Sequence, residues 1–109
     1  MSSKEGRLTY IVDIDKTIMD TVGSDYLNSR PYLDRIAKIN ALFDEGHTII
    51  YWTARGGASK INWHEWTVKQ LYRAGAKYSE LRMGKPSYDL WIDDKALNSE
   101  EFFFLNKDQ

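Results

Sequence analysis

Cysteine is absent from the 109 residues, so neither a disulfide framework nor thiolate chemistry is open to this chain. A surplus of either charge is missing too: 15 Lys and Arg stand against 16 Asp and Glu, a formal net charge of −1. No basic field exists to draw nucleic acid non-specifically, and no nucleic-acid partner is expected. No apolar run approaches the roughly 18 residues that would suggest a membrane span, and the opening stretch Met1 to Arg7 is polar. Repeats, linkers and low-complexity segments are likewise missing. These absences lead us to expect a cytoplasmic protein, with residues 1–109 forming a single domain. Small domains bury a modest share of their surface. The abundant aromatics, four Trp, seven Tyr and four Phe, offset that by enriching the core.

The hydrophobic pattern alternates between strand and helix. Leu8 to Ile14 is apolar and rich in β-formers, as in a central strand buried on both faces. The polar stretch 16–28 reads as a loop. Ser29 is a fitting N-cap with Pro31 just inside a helix start, and Tyr32, Ile36, Ile39 and Phe43 recur at helical spacing up to Gly46. His47 to Trp52 forms a second strand. Asn62 and Glu65 resemble a capping box opening a helix that ends at Gly75. A third strand spans roughly Lys77 to Arg82, a fourth Tyr88 to Ile92, and a short helix Asn98 to Leu105. Strands alternating with helices predict an α/β fold, a three-layer sandwich around a central parallel sheet with right-handed crossovers.

Two of these strands end in carboxylates: Asp13 and Asp15 follow the first, Asp93 and Asp94 the fourth. In an open parallel sheet, ligands bind at the C-terminal edge of the strands. Residues two apart on a strand share a side, so Asp13 and Asp15 converge, and Asp93 can reach them if the strands are neighbours. Four carboxylates in one volume repel. Either some are protonated or a cation is present, and a hard, oxygen-liganded ion such as Mg²⁺ is the economical answer. That arrangement suggests metal-assisted phosphoryl chemistry. Singly, these signals are weak, because acidic residues commonly begin turns. In order they accumulate: Asp13-Ile14-Asp15-Lys16-Thr17, Thr53 after Ile49 to Trp52, Lys85 in Gly84-Lys85-Pro86, then Asp93-Asp94.

This ordered set resembles the haloacid dehalogenase superfamily of phosphohydrolases over nearly the whole chain, from Leu8 to about Phe104. Within it, the stretches Tyr51-Trp52-Thr53-Ala54-Arg55-Gly56 and Trp91-Ile92-Asp93-Asp94-Lys95-Ala96 look most like short capsular or surface-polysaccharide biosynthesis phosphatases. The resemblance implies Asp13 as nucleophile, Asp15 as general acid and base, Thr53 as the phosphate-binding hydroxyl and Lys85 as the neutralising cation. Mg²⁺ would be bound by Asp13, the backbone carbonyl of Asp15 and the acidic pair Asp93-Asp94, Asp93 foremost. The implied activity is Mg²⁺-dependent hydrolysis of a phosphate monoester, such as a sugar phosphate, through an aspartyl-phosphate. Charge cancellation by the metal, Lys85 and Thr53 would let a carboxylate approach a phosphate dianion.

Lys16 departs from the superfamily pattern, which usually has Gly after the acid/base Asp. Either the turn tolerates a side chain, or Lys16 adds a cation near substrate. Thr53, Ala54 and Arg55 leave the second strand at the binding edge, and Gly56-Gly57 permits close approach. Arg55 is thus either a contact to a distal part of the substrate or a solvated loop arginine. The spacing leaves no room for an inserted cap, so an open site is expected, covered if at all by a neighbouring subunit. Phe102-Phe103-Phe104-Leu105 cannot all face one side of a helix, which points to a homo-oligomer interface or to a helix sealed onto the sheet. Two other classes compete. A receiver-like phosphoacceptor module carries its acidic pair after the first strand, unlike the late pair here. A catalytically silent binding domain of the same fold is the other.

Overall fold

The computed structural model describes residues 6–56 and 61–105. Three strands form its main sheet in the order β1 (Thr9–Val12), β4 (Thr48–Trp52), β5 (Glu80–Arg82), all parallel. Two short strands, β2 (Met19–Asp20) and β3 (Arg30–Pro31), pair antiparallel in a separate ribbon after β1. Helices α1 (Leu33–Asp44) and α2 (His64–Arg73) make the crossovers. The layout is a Rossmann-like α/β arrangement. Because the sheet grows in one direction, right-handed crossovers put both helices on the same face. Ile36 and Ile39 of α1 and Leu71 of α2 accordingly share one core with Val12, Ile49 and Tyr51.

The register explains which strand residues reach that core. Tyr10 lies opposite Ile49 and Val12 opposite Tyr51, on the helix-covered face, while Ile11 lies opposite Ile50 on the other. The far face is unevenly covered: Ile50 is buried but Ile11 is 57% exposed, and Trp52 meets the edge of Trp91, with ring centroids 6.2 Å apart. Burial of the Tyr51 side chain is complete, and its hydroxyl has no hydrogen-bond partner, a desolvation cost offset only by the ring's packing.

Each helix ends in a glycine-dependent stop. Gly46 (φ 101°) and Gly75 (φ 75°) adopt the left-handed conformation, and the His47 and Ala76 N–H groups bond back to the Leu42 and Leu71 carbonyls. This is the Schellman arrangement, which satisfies carbonyls the helix leaves orphaned. The N-terminal end of α1 differs from expectation. Tyr32, not Ser29, occupies the cap position, Pro31 belongs to β3, and the Ser29 hydroxyl is drawn into a side-chain network instead. At α2 the cap position belongs to Trp63, which makes no side-chain cap bond; Asn62, one residue earlier, accepts from the His64 N–H at 3.0 Å.

The expected fourth strand is not formed. Residues 88–92 run without a strand partner, and Leu90 and Ile92 are 75% and 88% exposed. Glu101–Leu105 then coil as a π-helix against α1 and β1. Phe103 enters the core, Phe102 packs on Tyr10, and Phe104 stays half exposed. Arg35 fastens this end: buried beside the Phe103 ring, it pairs with Glu100 at 2.6 Å and donates to the Thr17 carbonyl at 2.9 Å.

Candidate active site

After β1 the backbone makes one tight turn around a single carbonyl. The N–H groups of Thr17, Ile18 and Met19 all point to the Ile14 oxygen, and Lys16 N–H reaches the Met19 carbonyl at 2.7 Å. Ile14, Ile18 and Met19 are buried beneath this turn, so apolar burial fixes the loop that carries Asp13 and Asp15. Lys16 takes φ 66°, the only positive value at a described non-glycine residue. The position that usually holds Gly in the resembling superfamily is therefore one whose backbone favours Gly here.

Asp13 and Lys85 meet at this edge, with 3.8 Å between Lys85 Nζ and Asp13 Oδ1. Lys85 is placed by its own backbone, whose N–H donates to the Thr53 carbonyl at 2.8 Å. Its ammonium also lies over the Tyr88 and Trp91 rings and 3.3 Å from the Tyr88 hydroxyl. Burial pushes the Asp13 carboxyl above its ordinary range, opposed first by Lys85 and then by the Ile14 N–H. The fully buried Thr53 hydroxyl accepts from the Arg55 N–H at 3.1 Å, which leaves its own proton free to donate. Ala54 is exposed beside it.

Asp15 points into a network rather than into solvent. Arg55 grips it with both arms of the guanidinium, Nη2 to Oδ1 at 2.7 Å and Nε to Oδ2 at 3.0 Å, and Thr21 donates to Oδ1 at 2.6 Å. One lone pair of Oδ2 remains for further proton traffic. Arg55 itself is fully buried, and it reaches Thr67 and Gln70 of α2, the Ser29 hydroxyl and the face of Tyr26. This corrects the reading of Arg55 as a substrate contact or a solvated loop residue: with its donors committed inward, it positions Asp15. Gly57 lies outside the described residues. Thr21, Thr67 and Gln70 could not be picked out from the sequence, and Ser29 was read as a helix cap, because buried polar networks follow no periodic pattern. Thr67 and Gln70, three apart on the inner side of α2, were the one available hint.

The second acidic pair lies on the loop that follows Trp91, whose ring sits over the Lys85 ammonium. Asp93 accepts from the Lys95 N–H at 2.7 Å and from the Trp91 indole at 3.4 Å, bonds that hold its carboxyl below the ordinary range. Asp93 and Asp94 are both exposed. Among the described residues no three His, Cys, Asp or Glu side chains converge on a point that could hold a metal ion. The structure thus brings Asp13, Asp15, Thr53, Lys85 and Arg55 to one edge, while Asp93 and Asp94, joined to it through the Trp91 ring over Lys85, complete no metal-holding cluster with them. A concavity of about 330 Å³ lies behind the Arg55 network, between the ribbon and α2, and does not border Asp13.

Fold and site together define an α/β domain with a carboxylate–lysine pair at the C-terminal edge of a parallel sheet. No family model matches the chain, and no curated protein matches it. A crystal structure from Vibrio cholerae, an MCSG target that carries no functional name, shares 30% sequence identity and a TM-score of 0.78, over 88% of this chain and 87% of that one. The chain belongs to the same family as that Vibrio cholerae protein. Among the described residues no helix is long and apolar enough to cross a membrane.

Proposed function

We propose that the protein hydrolyses phosphate monoesters, with Asp13 as nucleophile. The observation that carries this is the Asp13–Lys85 pair at the strand edge, 3.8 Å apart, beside an Asp15 whose orientation Arg55 fixes. An Asp13 oxygen attacks phosphorus while the bond to the ester oxygen breaks. Lys85 and the Thr53 hydroxyl offset the growing charge on the phosphoryl oxygens. Asp15, when protonated, gives its proton to the departing alkoxide. It then takes one from the water that cleaves the aspartyl-phosphate, releasing phosphate and restoring Asp13.

The three-layer form of the haloacid dehalogenase fold and membership of that superfamily are part of this proposal. The resemblance to polysaccharide-biosynthesis phosphatases favours a sugar phosphate as substrate. Mg²⁺ is the cofactor that the acidic pairs suggest, yet the residues one copy brings together do not fit it: the Asp15 carboxylate is engaged by Arg55, and Asp93 and Asp94 do not converge with Asp13 into a group of three carboxylates.

The test is phosphate release from a panel of sugar and aryl phosphates. Asp13→Asn should lower turnover by at least about 10³-fold, as expected when a covalent nucleophile is removed. Unchanged turnover in that variant would assign attack to another group.

A further inference from the structure

The main sheet stops at β1, whose outer edge pairs with no strand among the described residues. Ile11 and Leu8 are 57% and 56% exposed beside it. Unpaired edges of this kind invite a further strand. The same chain carries a strand-like segment, Tyr88 to Ile92, that joins no sheet among the described residues: Trp91 meets Trp52 and Lys85 through its ring, while Leu90 and Ile92 are among the most exposed apolar residues described. An acceptor without a strand and a strand without an acceptor therefore occur in one molecule.

The connection decides whether they can meet within one copy. For Asp93 to arrive beside Asp13, residues 88–92 must run parallel to β1, starting at the Thr9 end. Lys85 is tied to Thr53 at the opposite end. A strand of that length descends roughly 15 Å along the sheet, whereas the three residues from Lys85 to Tyr88 span at most about 11 Å. Parallel neighbours generally need a crossover of about a dozen residues, and only Met83 to Ser87 separate β5 from this segment. Pairing within one copy could only be antiparallel, which would carry Asp93 away from Asp13. In a second copy no crossover is needed.

We infer that the Tyr88–Ile92 segment of a second copy adds to the outer edge of β1, parallel to it, and sets its Asp93 and Asp94 beside Asp13. Exchange of this segment in both directions gives a closed two-fold dimer, with Lys85-Pro86-Ser87 as the hinge. It buries Ile11, Leu90 and Ile92 together. The helical turn from Ser99 to Phe104, which already docks next to β1 through Phe102 and Tyr10, can follow the strand into the acceptor copy. The exchange also accounts for the misfit of the metal, because the missing carboxylates come from the neighbour. That last point rests on the phosphatase reading; the pairing of strands does not.

The absence of cysteine makes the test clean. Ile11→Cys combined with Leu90→Cys, bridged by a short bis-maleimide, should give a covalent dimer at twice the chain mass, while neither single variant does. A cross-link closing within one chain, or a wild-type protein that light scattering finds monomeric at every concentration, overturns the inference. Ile92→Lys provides a second arm: its side chain is exposed in a single copy, so helicity should be kept while the dimer dissociates, and a dimer that survives contradicts the exchange. A third arm mixes unfolded Asp13→Asn and Asp93→Asn chains and refolds them together. Turnover that neither has alone shows that Asp93 acts in trans. A covalent dimer without phosphate release in the wild type would reject the phosphatase reading and keep the exchange.

Discussion

Arg55 is the residue on which the site's order depends. A buried guanidinium bound to a carboxylate, two hydroxyls and an amide has its charge and its donors satisfied together. Removing it strands Asp15 and its neighbours without partners. Arg55→Ala should therefore cost about 3–5 kcal/mol, a large part of the roughly 5–15 kcal/mol that holds a small domain together. Arg55→Lys keeps the charge but not the fork, and should still lose stability and slow turnover, read by urea titration and phosphate release. A variant as stable as wild type would show that the network contributes nothing. Asp13 makes the opposite case. Its carboxyl is pushed above its ordinary value of 3.8, chiefly by burial, so ionising it in the folded state is unfavourable relative to the unfolded chain. The sign follows by linkage. Below the ordinary carboxylate range both states are protonated and no penalty exists; it grows as pH rises from the unfolded to the folded value and is constant above. Asp13→Asn should stabilise the protein at neutral pH by less than about 1 kcal/mol, since 37% of the side chain is exposed and solvent screens the charge. The gain should vanish near pH 3 in denaturant titrations; one that increases on acidification would contradict the burial argument.

At the scale of elements, what could be read from the sequence depended on whether a periodic pattern met a place in the fold. β1, β4, α1 and α2 were legible because Val12, Ile49, Tyr51, Ile36, Ile39 and Leu71 repeat at the spacing of the faces they bury. β2 and β3 were not, since two-residue strands carry no period, and Ser29 and Pro31 mimicked a helix start while serving the ribbon. Tyr88 to Ile92 had the composition of a strand but no route to an edge in its own copy, a limit that lies in chain connectivity rather than in propensity. The strand-edge residues Asp13, Thr53 and Lys85 could be read from position. The inward turn of Arg55 could not, because nothing local distinguishes a buried arginine from a solvated one. The loop after Asp15 yields a direct test. A side chain in the left-handed region costs roughly 1–2 kcal/mol, and glycine's extra freedom in the unfolded chain returns about 0.5–1 kcal/mol of that. Lys16→Gly should then raise Tm by a few degrees, at about 4–8 °C per kcal/mol for a domain near this size. A fall in Tm would mean that the Lys16 side chain contributes a contact worth more than the strain.

For the whole molecule, two helices on one face of a three-stranded sheet leave Ile11 on the other face exposed and, among the described residues, the β1 edge unpaired. The Vibrio cholerae relative covers this chain almost end to end, so the same short connector between the lysine loop and the second acidic pair can be sought there. An open edge and an incomplete acidic cluster form one coherent picture if a second copy completes both. The chemistry nevertheless stands or falls on Asp13. Its most direct test is to mix enzyme with a phosphate monoester, quench within one turnover, reduce with borohydride and sequence the peptides by mass spectrometry. An acyl phosphate is reduced where a free carboxylate is not, so residue 13 should be recovered as homoserine in proportion to phosphoenzyme. Turnover accompanied by an unmodified Asp13, or by reduction at Asp93 instead, would contradict the account.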